Sequence, residues 1–156
     1  ALNSGQKFIP IVVDSFGGQV YTLLEMINKI QTCGLPCYTI VESKAMSCGA
    51  MLFSMGEKRY MAPHATLMLH DASLMTWGKT EEVKADANEL ERLNQLIFRM
   101  IAKNCGQEES YFLDLIHHKG HADWFLASKE AKKHKLCTNI GVPNLNIKVS
   151  VDFSLS

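Results

Sequence analysis

Phe8-Ile9-Pro10-Ile11-Val12-Val13-Asp14-Ser15-Phe16-Gly17-Gly18 is the stretch that decides the architecture. Phe8 to Asp14 is apolar almost without interruption and β-branched in its second half, as a strand buried on both faces of a parallel sheet requires. Gly17-Gly18 end it. Val20, Leu23, Leu24, Ile27 and Ile30 then recur at helical spacing, which predicts a helix over Gln19 to Thr32, stopped by Gly34 and Pro36. Outward from there, Cys37 to Glu42 reads as a second strand and Met46 to Met55 as a short helix ending at Gly56. Arg59 to Met61 and Thr66 to His70 read as further strands. Strands alternating with helices argue for an α/β fold, a parallel sheet with crossover helices.

The second half is more helical. Ser73 to Gly78 reads as an exposed extended piece. Thr80 is placed to cap a long helix, with Glu81 and Glu82 at its positive end. That helix runs to about Asn104, with Val83, Ala87, Leu90, Leu93, Ile97, Met100 and Ile101 in one stripe, part of which is expected to lie between subunits. A helix over Glu108 to His117, a short one from Ser128 to Lys133 and a terminal strand over Asn146 to Phe153 complete the prediction.

Composition narrows the function classes. The 156 residues, taken as a single domain 1–156, are 47% apolar and 21% charged with zero formal net charge. That balance offers no basic field to hold nucleic acid or an anionic membrane. No run reaches the length of a membrane span, and no leader pattern opens the chain. Five cysteines, an odd number without paired spacings, argue for free thiols in a reducing compartment, the cytoplasm or an organelle matrix. Cys33 and Cys37 lack a second pair for a metal site, and His117, His118 and His121 lack a carboxylate or thiol at clear ligand spacing. Neither metal nor cofactor is expected.

Three segments carry chemistry: Gly17-Gly18 after the first strand, Met46-Ser47-Cys48-Gly49-Ala50 at a helix start, and Met68-Leu69-His70 at a strand end. A serine hydroxyl is a poor nucleophile unless a base takes its proton and donors receive the oxyanion. Ser47 sits where helix N–H groups have no intrahelical partner, and Gly49 and Ala50 leave room for a substrate backbone. Each feature has an ordinary alternative: a helix cap, a turn, a bonded histidine. Their combination is what selects the chemical reading.

In order and spacing these segments resemble the Clp-type serine peptidases. Ser15-Phe16-Gly17-Gly18 is similar to the family's Ser-Pro-Gly-Gly turn, Ser47-Cys48-Gly49-Ala50 to its Ser-Met-Gly-Ala segment, and Met68-Leu69-His70 to its Met-Ile-His strand end. Asp123-Trp124-Phe125-Leu126-Ala127-Ser128-Lys129-Glu130-Ala131 looks like its acidic segment. The resemblance implies a spiral of β-α-β units of the Clp-peptidase and crotonase type, with a handle over about 73–105. It implies Ser47 as nucleophile, His70 as general base and Asp123 as the residue orienting it, with the backbone N–H groups of Gly18 and Cys48 as oxyanion hole. Substrate would lie between Gly17-Gly18-Gln19-Val20 and Ser73-Leu74-Met75. The implied partners are polypeptide substrates, copies of the chain in two stacked heptameric rings, and an ATP-driven AAA+ unfoldase. Two rivals share the fold: a non-catalytic ring subunit, and a crotonase-like acyl-CoA enzyme that would not need the three side chains together. The chain departs from the pattern at Phe16, Cys48, Asp71-Ala72 and Leu74-Met75. It also starts almost at the first motif, so the family's N-terminal gating segment is expected to be absent, in a compact variant or a truncated chain.

Overall fold

A computed structural model describes residues 5–73 and 75–146. Strand β1 (Ile9–Val12) leads through the glycine turn into α1 (Val20–Thr32), and β2 (Cys37–Val41) returns parallel to β1 with Ile9 opposite Cys37. Strand β4 (Lys58–Met61) pairs parallel to β2, and β7 (Asn139–Ile140) closes the row as the fourth parallel strand. The apolar β-branched runs read from the sequence are therefore strands of one parallel sheet. Its inner members, Ile40, Val41 and Met61, are buried.

A second sheet was not legible as such. Beyond β1, Ser15 bridges Ala45, and beyond β2 the chain runs into β3 (Lys44–Met46). Beyond β4 it runs into β5 (Thr66–Leu69). Thus β3 is a strand the sequence did not predict, its last residue Met46 taken from the start of the predicted helix, and α2 spans only Cys48–Phe53. Strand β5 lies parallel to β3 and antiparallel to β6 (Trp124–Ala127), in the order β3-β5-β6. In β6, Trp124 and Leu126 point inward while Phe125 is exposed, a period of two that is too short at four residues to stand out. Each β-α-β turn thus feeds both sheets, which gives an α/β spiral.

The long helix α3 (Thr80–Asn104) has the predicted ends, but Lys79 precedes its first turn and Thr80 is already helical. Its start is held by the Glu82 carboxylate, which accepts the Lys79 N–H at 3.1 Å. The half before Leu93 carries no buried residue, whereas Leu93, Ile97, Phe98, Ile101 and Ala102 are in the core. The helix is exposed at one end and packs at the other. Of the stripe Leu90, Leu93, Ile97 and Met100, part of which was expected between subunits, Leu93 and Ile97 are covered by this chain itself. The exposed half is tethered by Tyr21 of α1, whose hydroxyl donates to Glu89 at 2.8 Å.

Helix α4 (Tyr111–His118) starts three residues later than predicted, and α5 covers Ser128–Lys133. Ser128 donates its hydroxyl to Pro63 O rather than capping its own helix. The terminal strand predicted over Asn146 to Phe153 lies, after the irregular Asn146, outside the described residues. One apolar cluster from Val13 to Cys137 joins the sheets and helices around the fully buried rings of Phe53, Phe98 and Phe112. Burying each such side chain contributes about 1.5–3 kcal/mol. No helix of the described residues is long and apolar enough to cross a membrane.

Candidate active site

Ladder register assembles the site. Met46 of β3 lies opposite Met68 of β5, and Leu69 of β5 lies opposite Trp124 of β6. The residues just past these pairs therefore converge at one edge of the smaller sheet: Ser47 after β3, His70 after β5 and Asp123 before β6. The Ser47 N–H donates to Met68 O at 2.8 Å, which ties the serine backbone to the strand that carries the histidine.

Ser47 occupies the N-cap position of α2, yet its hydroxyl makes no capping bond. It lies 2.8 Å from His70 Nε2. The ordinary alternative for a serine at a helix start is thus not the one adopted. Ser47 has φ +52°, a conformation strained for a residue with a side chain. That turn aims Oγ away from its own helix and towards the imidazole.

His70 Nδ1 stands 3.8 Å from Asp123 Oδ1, inside ion-pair reach but outside hydrogen-bond length. The Asp123 side chain is 56% exposed and that of His70 23%. The three residues are brought together, with the Ser47–His70 half tighter than the His70–Asp123 half.

The glycine turn completes the wall. Ser15 Oγ accepts the Gly17 N–H at 3.1 Å, which leaves the N–H of Gly18 as the next donor in line. Among the described residues, neither Gly18 nor Cys48 donates its backbone N–H to a protein acceptor. Gly17 has φ +115°, and a Cβ on it would come within 2.7 Å of Ser47 Cβ. A Cβ on Gly18 would meet nothing within 4 Å. A matched pair of substitutions follows. Gly17→Ala should displace Ser47 and destabilise the fold by at least about 1 kcal/mol. Gly18→Ala should melt within roughly 0.5 kcal/mol of wild type, because its Cβ enters only open space. Equal melting temperatures for both variants would refute this assignment of the turn.

Sequence reasoning missed several supports. Ser15 both holds Gly17 and packs against Gly49, where a Cβ would lie 3.0 Å from Ser15 Cβ. The Cys48 thiol donates to Gly18 O at 3.2 Å, linking the two segments proposed to share an oxyanion. Burial is the main reason the Cys48 pKa is raised, so the thiol stays protonated and serves as a donor. Phe16, where the resembling family has proline, lies under Lys44 Nζ at 4.5 Å from its ring centroid, and the same amine meets Asp14 at 2.7 Å. These exposed contacts substitute for the stiffness of a proline only modestly.

A hollow of about 70 Å³ lies against Ser47 and His70, walled by Val20, Met51, Ser73 and Ile97. A larger one of about 330 Å³ lies beside the Gly17-Gly18 segment and includes Gln19. Of the second expected substrate segment, Ser73 borders the smaller hollow, Met75 is 86% exposed, and Leu74 lies outside the described residues. Among the histidines, His121 engages Asp71. No cluster of three or more metal-ligating side chains occurs among the described residues. A family model described as Clp protease matches residues 1–143 of the chain.

Proposed function

Because the chain belongs to the Clp protease family, we propose that it is a serine endopeptidase acting through Ser47, His70 and Asp123. The observation that supports this reading most is the Ser47 hydroxyl, which leaves its capping position and lies 2.8 Å from His70 Nε2. In the proposed cycle, His70 Nε2 takes the proton as Ser47 Oγ attacks the scissile carbonyl. The N–H groups of Gly18 and Cys48 receive the oxyanion. Collapse returns the proton to the leaving amine and leaves an acyl ester on Ser47. Water, deprotonated by His70, then hydrolyses the ester. Asp123 holds the imidazole and offsets the charge it gains.

The substrate is an extended polypeptide, paired through its backbone with Gly18-Gln19-Val20 on one side and Ser73-Leu74-Met75 on the other. Such a binding mode makes few sequence demands and excludes folded chains. The family generally forms self-assembled rings, and we propose two stacked heptamers served by a separate ATP-driven unfoldase. Gly78-Lys79-Thr80 matches the end of a nucleotide-binding Gly-x4-Gly-Lys-Ser/Thr loop, but Ser73 stands where its first glycine would be, so the full pattern is absent from this sequence. The odd count of five cysteines supports the cytoplasm or a comparable reducing compartment.

The test is labelling with a fluorophosphonate followed by peptide mapping, alongside cleavage of a fluorogenic peptide and of a stably folded reporter. The modification should map to Ser47, the peptide should be cut without ATP, and the folded reporter should survive. A label elsewhere, or ATP-stimulated destruction of the reporter by this chain alone, would contradict the proposal.

A further inference from the structure

We infer that Asp71 and His121 form a positioning pair that holds the Asp123 segment in register with His70; this rests on the triad reading above. Asp71 follows the base directly, and His121 stands two residues before Asp123. Their side chains meet through His121 Nδ1 and Asp71 Oδ2. A carboxylate only accepts, so the imidazole carries its proton on Nδ1 and donates.

Three observations give the contact its direction. The Asp71 side belongs to the rigid body of the protein. Its neighbour Ala72 donates its N–H at 2.7 Å to Oδ1 of Asn94, which is buried in α3. The Asp123 side is the short loop between α4 and β6, held at its ends by the His121 N–H to Ile116 O bond and by the pairing of Trp124 with Leu69. Gly120 and His121 are successive left-handed residues, at φ +68° and +59°, and the exposed Asp123 carboxylate has no hydrogen bond among the described residues. The third observation is Asp71 Oδ1, sealed from solvent without a partner. His121 therefore supplies the one hydrogen bond that this carboxylate receives among the described residues. Losing it would remove that donor while Oδ1 stays sealed, which is disfavoured even with the side chain 21% exposed.

His121 is itself well seated. Its N–H donates to Ile116 O at 3.1 Å, and its ring lies 4.6 Å from that of His117 at the end of α4. The pair thus joins two fixed points, the segment after β5 and the end of α4, and Asp123 is carried between His121 and β6. The 3.8 Å separation of His70 and Asp123 is too long to align the imidazole by a hydrogen bond of its own. Alignment then depends on what holds the two segments together: the β5–β6 ladder, which ends at the Leu69–Trp124 pair, and beyond that pair the Asp71–His121 side-chain link.

The experiment compares Asp71→Ala, His121→Gly, their double variant and His121→Asn in the full chain. It measures kcat and KM on a fluorogenic peptide and the rate of fluorophosphonate labelling, with Ser47→Ala as control. Glycine removes the ring without left-handed strain, and asparagine tolerates that conformation while keeping an N–H donor. Asp71→Ala and His121→Gly should each lower kcat and labelling by about 10- to 100-fold, as a misplaced group of this kind does, with KM little changed. The double variant should be no worse than the worse single one, because both remove the same contact. His121→Asn should recover most of the rate. Wild-type kcat in both single variants with an inert Ser47→Ala would overturn the pair and leave the triad reading standing. So would losses that add in the double variant or that match the fraction of protein unfolded by circular dichroism. An active Ser47→Ala would overturn the triad reading and the pair with it.

Discussion

Ser47→Ala should lower kcat by roughly 10⁴- to 10⁶-fold, the loss seen when a serine-protease nucleophile is removed. The physical reason is local. The hydroxyl 2.8 Å from His70 Nε2 is the only part of Ser47 directed at the imidazole, and alanine deletes that atom alone. The turn itself should survive, since the Ser47 N–H to Met68 O and Met51 N–H to Ser47 O bonds are made by backbone. Ser47→Gly should be equally inert but more stable than Ser47→Ala by about 1 kcal/mol, because glycine adopts φ +52° without strain. Cys48→Ala is the matched control. It removes the thiol donated to Gly18 O but keeps the Cys48 N–H, and should retain most activity. Peptidase assays, fluorophosphonate labelling and thermal melts of the three variants decide the matter. Full activity in Ser47→Ala with loss in Cys48→Ala would make the thiol the nucleophile.

The largest stability loss from a single side chain is expected at Arg59. It is 5% exposed, and its guanidinium donates to Leu136 O at 3.0 Å, Gly56 O at 2.7 Å and Lys135 O at 2.9 Å. No carboxylate pairs with it among the described residues, so its charge is satisfied by backbone carbonyls. Two of those carbonyls follow the end of α5, where a cation is favoured. Arg59→Leu would leave the Leu136 and Lys135 carbonyls without their donor, at about 1–3 kcal/mol for each group that water cannot reach, while Gly56 O keeps the Asn104 side-chain amide at 3.1 Å. We expect a net loss of roughly 3–5 kcal/mol and, for a chain of this size, a fall in Tm of about 6–20 °C. Arg59→Lys should recover only part, because a single ammonium cannot fork to three acceptors. The consequence reaches the site: the Lys135 and Leu136 carbonyls belong to the connection between α5 and β7, and Asp123 immediately precedes β6, the strand before α5. An unfolding free energy from denaturant titration within about 1 kcal/mol of wild type for Arg59→Leu would refute this account.

Local chemistry made much of this protein legible. An apolar β-branched run can only be satisfied in a buried strand, so Ile9 to Val41 was readable as strand, helix, strand. The long helix declared both its extent, by its periodicity, and its end, by Gly106. The segments around Gly17-Gly18, Ser47, His70 and Asp123 named the candidate site through their resemblance to the Clp-type pattern. What sequence could not supply was whatever depends on which segments lie side by side. Strands β3, β6 and β7 have three, four and two residues, too few for a period to show, and they exist because a ladder partner is present. The apolar stripe of α3 told that Leu93 and Ile97 would be covered but not by what; tertiary packing put them in this chain's own core. Arg59 reads as an ordinary charge in a strand until the carbonyls of Lys135 and Leu136, more than seventy residues away, surround it. Asp71 and His121 read as a departure and a stray histidine until the antiparallel pairing of β5 with β6 brings their segments together. Periodicity, caps and turn residues act within a few positions of the chain, whereas register and the satisfaction of buried polar groups are decided between distant segments, and only the folded chain decides them.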